Sequence, residues 1–210
     1  MSKTNYTENR TLNAENGNVC VQTQYEIPRY EARIYADCQW TCEDVIENLK
    51  SEAKIWVGSR DYTSLSNISE PEDLTGNLQT DLELFQKQLD EEYGEGKYEA
   101  FVLGAYIHSG TSFSINKSGN RVCRFDSSQL GFIGLPICPT SFYSADNADK
   151  VADELTHAWN GEYYEYVVYD NLDEEPADSI TTANPHEESD WFRSVKDKYQ
   201  VSFDEVDPIY

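Results

Sequence analysis

The residues best suited to chemistry are gathered in one stretch. His108-Ser109-Gly110 is followed, a short hairpin's length later, by Cys123-Arg124-Phe125-Asp126-Ser127. A cysteine nucleophile needs a base to take its proton and a third group to orient that base. Cys123, His108 and Asp126 supply those three types, with Ser109 as a weaker nucleophile. The bland account of the same residues is equally physical. His108 bonds a backbone carbonyl, Cys123 packs as a small apolar residue, and Asp126-Ser127 turns the chain into the next strand. No oxyanion feature can be read beside them, so the bland account is preferred and an enzyme is the lesser expectation.

Other constellations are thinner. The chain has no phosphate-binding glycine loop, no HExxH and no paired CxxC. Cys38 and Cys42 stand four apart without a second close pair of ligands, where a structural zinc wants four. No metal or cofactor is expected. His157 lies in a helical stretch without an evident partner, and His186 lies among acids. Paired carboxylates carry no information here, because 39 acidic residues offer such pairs by chance.

That abundance of acid is the dominant property of the chain. Sixteen basic residues face 39 acidic ones, a formal net charge of −23 over 210 residues. A body this negative repels phosphates and anionic lipid, so direct nucleic-acid binding and membrane binding are disfavoured and basic protein partners are favoured. Solvation in high salt is the competing use of the charge. Five cysteines, an odd count, a polar start and no long apolar run fit reduced thiols and a cytoplasmic location. Fifteen tyrosines, eight phenylalanines and four tryptophans argue for a folded core.

The elements expected to position these residues follow from periodicity. Residues 1–16 have no apolar period and read as a flexible arm. Val19, Val21, Thr23 and Tyr25 alternate as a strand, and Ala32, Ile34 and Ala36 as another. Thr41 and Asp44 read as the start of a helix carried by Val45, Ile46, Leu49 and Ala53, fading near Ile55-Trp56-Val57-Gly58. Leu78, Leu82, Phe85 and Leu89 form one apolar stripe of a second helix, ended by Gly94 and Gly96. Residues 98–105 are apolar on both faces, as in a buried central strand. Strands are expected at Ser112–Ile115, Leu130–Leu135 and Tyr163–Tyr169. A third helix, capped by Ser144 or Asp146, runs through Val151, Leu155, Ala158 and Trp159. The expected fold is α+β, a single domain over 17–170 with an antiparallel or mixed sheet of about five or six strands and about three helices. An acidic extension, 171–210, brings Trp191, Phe192, Val195, Tyr199 and Phe203 as residues able to dock.

The central segment resembles a known group. Ala105-Tyr-Ile-His-Ser-Gly-Thr-Ser-Phe-Ser114 and Val122-Cys-Arg-Phe-Asp-Ser-Ser-Gln-Leu-Gly-Phe-Ile-Gly134 are similar to the core of uncharacterised proteins encoded by bacteriophages, plasmids and conjugative elements. That core reads His-Ser-Gly, then Cys-Pro-Trp-Asp-Ser-Gly-Gln-Val-Gly-Phe-Ile. The resemblance covers about residues 98–170 and departs at Arg124, Phe125 and Ser128. It implies a mobile-element origin and no reaction. Charge and resemblance together lead to an acidic accessory protein that inhibits a basic host defence protein, a restriction or CRISPR nuclease, by imitating DNA. Its expected contact residues are Asp81, Glu83, Asp90, Glu91, Glu92, Glu95, Asp173, Glu174, Glu175, Glu187, Glu188 and Asp190. The alternatives are a small hydrolase or transferase on Cys123, His108 and Asp126, and a non-enzymatic salt-adapted or structural element protein. Exposed strand edges and the tyrosines also permit a homodimer.

Overall fold

The computed structural model describes residues 3–14, 17–36, 39–118, 127–183, 189–204 and 206–209; for 3–14, 17–27, 39, 40 and 189 it describes the backbone alone. In chain order the elements are β1 (Lys3–Ala14), β2 (Gly17–Pro28), β3 (Tyr30–Ala36), α1 (Gln39–Glu52), β4 (Lys54–Val57), α2 (Leu78–Tyr93), β5 (Tyr98–Ile107), β6 (Thr111–Asn116), β7 (Ser127–Pro136), α3 (Ala148–Asn160), β8 (Tyr164–Asp170), β9 (Glu175–Thr182), α4 (Ser189–Tyr199) and β10 (Pro208–Ile209). The α+β class expected from the sequence is the class observed. The strands, however, form two four-stranded sheets and a two-stranded ribbon rather than one sheet. The chain divides into two compact units, one of Cys38–Glu162 and one of Met1–Asp37 with Tyr163–Tyr210.

In the unit of residues 38–162 the sheet has the order β4-β7-β5-β6 and every pairing is antiparallel. Its central strands are apolar on both faces because both faces are covered. On one face Leu49 of α1 and Val151, Ala152 and Leu155 of α3 meet Leu103, Ile133 and Leu135. On the other, Leu82, Phe85 and Leu89 of α2 meet Ala100, Val102 and Phe132. The double-sided pattern of residues 98–105 therefore reports a layer of helix on each side of the sheet.

The sheet's two open edges are closed by side chains. At β4 the Ile55 amide donates to Asn67 Oδ1 at 2.7 Å and the Val57 amide to Ser66 Oγ at 2.8 Å. At β6 the Thr111 amide donates to Asn160 Oδ1 at 3.1 Å and the Phe113 amide to Thr156 Oγ1 at 2.9 Å. Thr156 and Asn160 stand four apart on α3, one turn of helix, which matches the two-residue repeat of amides along a strand edge. Such plugs remove the template on which a second chain would pair.

The other unit carries the sheet β10-β3-β8-β9, antiparallel except for the β10–β3 pair. The aromatic residues near the C-terminus pack within this unit. Tyr166 of β8 meets Phe192 and Phe203 edge-on at 5.0 and 5.5 Å, Tyr199 meets Tyr30 at 4.9 Å, and Val195 is buried. The Trp191 indole donates to Asp178 Oδ1 at 3.3 Å. This acidic stretch thus includes a strand and a helix of the unit.

Several local expectations are corrected. Residues 3–14 form β1, paired along their length with β2. Ile55–Val57 belongs to β4, not to the end of a helix, because it pairs antiparallel with β7, Ile55 with Ile133 and Val57 with Gly131. Helix α1 begins at Gln39, so Thr41 lies inside it. Helix α3 begins after Asn147, while Ser144 precedes a short 3₁₀ turn.

Arg29 and Asp170 form an ion pair in the second unit. Asp170 is buried, accepts from Arg29 Nη2 at 3.0 Å and Nε at 3.1 Å, and also accepts from the Leu172 amide at 2.9 Å. The Arg29 hydrogen bonds, above all, hold its carboxyl below the usual carboxylate range. A depressed folded pKa contributes stability above the unfolded value near ~3.9, and that stability is lost as pH falls through the folded value. Acid titration followed by Trp191 fluorescence, the one tryptophan of this unit, is expected to show this loss; Asp170→Asn should flatten the same stretch of the curve while lowering the midpoint at neutral pH.

Candidate functional site

The segment with the chemistry-bearing types lies at one end of the three-layer unit. Strand β5 ends at Ile107, and β6 begins at Thr111, so His108, Ser109 and Gly110 are the turn between them. The His108 amide donates to the Gly110 carbonyl at 3.2 Å, and the imidazole stacks on Tyr106 with centroids 6.2 Å apart. All three turn residues are exposed. Ser127, the first residue of β7, pairs with Tyr106. Cys123 and Asp126 lie outside the described residues, so of the three candidate catalytic residues His108 alone has a position.

The remaining histidine and cysteine expectations resolve unevenly. His157 is not without a partner, since its Nδ1 lies 2.8 Å from Glu162 Oε2. His186 and Cys38 are outside the described residues, and Cys42 sits on α1. Among the described residues no three His, Cys, Asp or Glu side chains are grouped as a metal site.

One of the five cysteines, read in the sequence only as a reduced thiol, has a setting of its own. Cys138 begins the turn Cys138-Pro139-Thr140-Ser141, and its Sγ lies 3.3 Å from Thr140 Oγ1. The Thr140 hydroxyl and then the amides of Thr140 and Ser141 hold its pKa below that of an ordinary thiol, while burial and Glu52 push the other way. The signal in the sequence was the proline, which shapes a turn whose amides converge on the preceding side chain.

The acidic residues divide by what holds them. Asp81 is only 6% exposed and serves its own loop. It accepts from the Thr75 amide at 2.7 Å, the Thr75 hydroxyl at 2.8 Å and the Gly76 amide at 2.9 Å, which lowers its pKa. Its carboxylate ties down the entry to α2 and is not part of an open acidic face.

Elsewhere on α2 the carboxylates are held differently, Glu83 and Asp90 on one flank and Glu92 on the other, beside Ser66, Asn67, Ile68 and Ser69. Gln79 Nε2 donates to Glu83 at 3.1 Å, Gln86 Nε2 to Asp90 at 3.2 Å and Gln88 Nε2 to Glu92 at 3.0 Å. Each pair is spaced i,i+4, where helical side chains meet. A neutral amide fixes a carboxylate's position without cancelling its charge. Lys87 is the exception, ion-paired to Glu91 at 3.5 Å. Glu83, Gln86, Lys87, Asp90, Glu91 and Glu95 line an open groove of about 470 Å³.

No family model, curated protein or solved structure matches this chain.

In the other unit Asp173, Glu174 and Glu175 are exposed at the β8–β9 turn, with Glu174 at φ 56°. Asp173 lies 3.7 Å from Arg29. Asp190 is exposed and paired with Arg193 at 3.1 Å, while Glu187 and Glu188 lie outside the described residues. The surplus of acid is shared: residues 38–162 hold 21 acidic and 9 basic residues, the remainder 18 and 7. No helix among the described residues is long and apolar enough to cross a membrane.

Proposed function

We propose that this chain is an acidic accessory protein of a mobile element that occupies the nucleic-acid groove of a basic host defence protein, a restriction or CRISPR nuclease, in place of DNA. The observation that carries the reading is the flank of α2 that lines the chain's own open groove, where Glu83 is fixed by Gln79 and Asp90 by Gln86 and the Gly96 amide rather than neutralised by lysines. A phosphate mimic needs negative charge that stays uncompensated and keeps its place, because ordering mobile carboxylates on binding would offset the gain. The likeness of residues 98–170 to mobile-element proteins supports the choice of target class.

The test is cleavage of duplex DNA by a panel of purified restriction and CRISPR nucleases with the chain added over a salt series. Inhibition at about 50 mM salt, relieved by added salt and by excess duplex, is expected of a competitor for a basic groove. Replacing Glu83, Asp90, Glu91 and Glu95 by their amides should weaken that inhibition at least about tenfold. Loss of no nuclease activity at low salt would sink the proposal.

The equal sharing of acid between the units favours a second reading, charge that serves solvation in high salt. On that reading the thermal midpoint rises steeply between about 0.1 and 2 M KCl, where ordinary screening is already nearly complete, and no nuclease is inhibited.

A further inference from the structure

Strands β1 and β2 form a ribbon of 12 residues a side that pairs with no other strand among the described residues. A lone two-stranded ribbon is marginal in water, and its stability comes from whatever covers its apolar face. Register decides which residues share a face, since alternate positions of a strand fall on the same side. Asn5, Thr7, Asn9, Thr11 and Asn13 share one face with their partners Glu26, Gln24, Gln22, Cys20 and Asn18. That face is polar except at Cys20. Thr4, Tyr6, Glu8, Arg10 and Leu12 share the other with Ile27, Tyr25, Thr23, Val21 and Val19. That face is apolar at both ends and carries one acid and one base at its middle.

The central charges are placed symmetrically. Asn9 and Gln22 pair at the middle of the ribbon, with Glu8 one position to one side and Arg10 one position to the other. A two-fold axis through that pair, lying along the hydrogen-bond direction between two facing ribbons, reverses the strand direction. It sets Glu8 of one copy opposite Arg10 of the second, and Arg10 opposite Glu8. The same operation sets Tyr6 opposite Leu12 and Tyr25 opposite Val19. A face that meets itself must be self-complementary under the axis, and this one is.

Net charge favours the same occupant. Residues 3–28 hold two basic and three acidic residues, so they carry −1 of the chain's −23. Two copies meeting elsewhere would press like charges together, whereas the ribbon is close to neutral. A basic partner, by contrast, gains little from it. We propose that residues 3–28 are a dimerisation ribbon, which stacks its Tyr6–Leu12 face on that of a second copy about a two-fold axis through Asn9 and Gln22.

The ribbon is about 40 Å long and 10 Å wide by strand geometry. Its footprint of about 400 Å² is below the ~800 Å² per partner of a standard interface. The dimer is therefore reversible with concentration. Sedimentation velocity of the full chain, from about 1 µM to 500 µM in 0.3 M salt, is expected to show the 24.1 kDa chain passing to twice that mass. Glu8→Arg sets two like-charge pairs across the axis and should raise the dissociation constant at least about tenfold; Glu8→Arg with Arg10→Glu restores opposite charges and should return it to within about threefold of the parent. A chain that stays monomeric throughout, or a dimer that Glu8→Arg leaves unchanged, or a double variant no better than the single, overturns the proposal.

Discussion

Gly131→Ala is expected to destabilise the unit of residues 38–162 by more than the ~1–3 kcal/mol typical of an inserted methyl group. Gly131 sits in β7 between Val57 of β4 and Leu103 of β5. A Cβ built there would lie 2.0 Å from the Trp56 carbonyl oxygen and 2.9 Å from Val57 Cα. Both obstacles are backbone, so no rotamer change relieves them and β4 itself must move. The close approach accompanies an irregularity in the register: Leu103 faces Gly131 and Gly104 faces Gln129, which leaves Leu130 as the extra residue of a bulge. Gly134→Ala is the graded comparison. Its Cβ would meet Leu89 Cδ1 at 2.6 Å, a flexible side-chain end, and the cost should stay near ~1–3 kcal/mol. Urea unfolding followed by Trp56 and Trp159 fluorescence ranks the two. Equal effects at the two positions would show that β4 does not press on β7 as described.

That close contact also shows where the sequence was legible. The stripe of α2 and the apolar run of β5 were readable because each is a local pattern imposed by one kind of neighbour. β4 was misread because Ile55-Trp56-Val57 follows α1 with no proline or glycine between, and its strand character comes from β7, some 75 residues away. β1 was misread for a related reason. Its alternating Thr, Asn and Glu residues show little apolar contrast, and the period becomes visible only beside Val19, Val21 and Tyr25 of β2. The candidate site was less legible than the fold. His108 could be placed at a strand end, but an acid's use depends on its neighbours in space. Asp81 and Glu83 are two residues apart on one helix; one is consumed by the Thr75–Gly76 loop, and the other is presented by Gln79. Composition counts both as −1. The Gln-acid spacing of four was in the sequence throughout, and at Glu83 it marks an acid that is presented rather than consumed, whereas Asp90 has the same spacing from Gln86 and also accepts from the Gly96 amide.

Phe85→Ala is expected to cost ~3–5 kcal/mol, the range for emptying a fully buried aromatic site. Phe85 is 0% exposed at the centre of the α2 stripe. Its ring stacks on Phe132 with centroids 5.5 Å apart, and Phe132 in turn stacks on Trp56 at 6.0 Å. Leu82 and Leu89 flank it on the same stripe, and both are already engaged by the sheet. Collapse into the cavity is therefore limited: Phe132 and Trp56 are anchored in adjacent paired strands, and α2 is held at its start by Asn77, which accepts from the Thr80 amide, and by Asp81. Phe85→Leu leaves a smaller void and should cost less than half as much. The denaturant midpoint should fall with an unchanged slope, because the surface exposed on unfolding is nearly the same. Trp56 is the near neighbour of the void, so its near-ultraviolet dichroism should weaken before the unit unfolds, while Trp191 in the other unit keeps its signal. If both tryptophans respond alike, the two units unfold as one, and the effect of Phe85 reaches beyond the helix and sheet it joins.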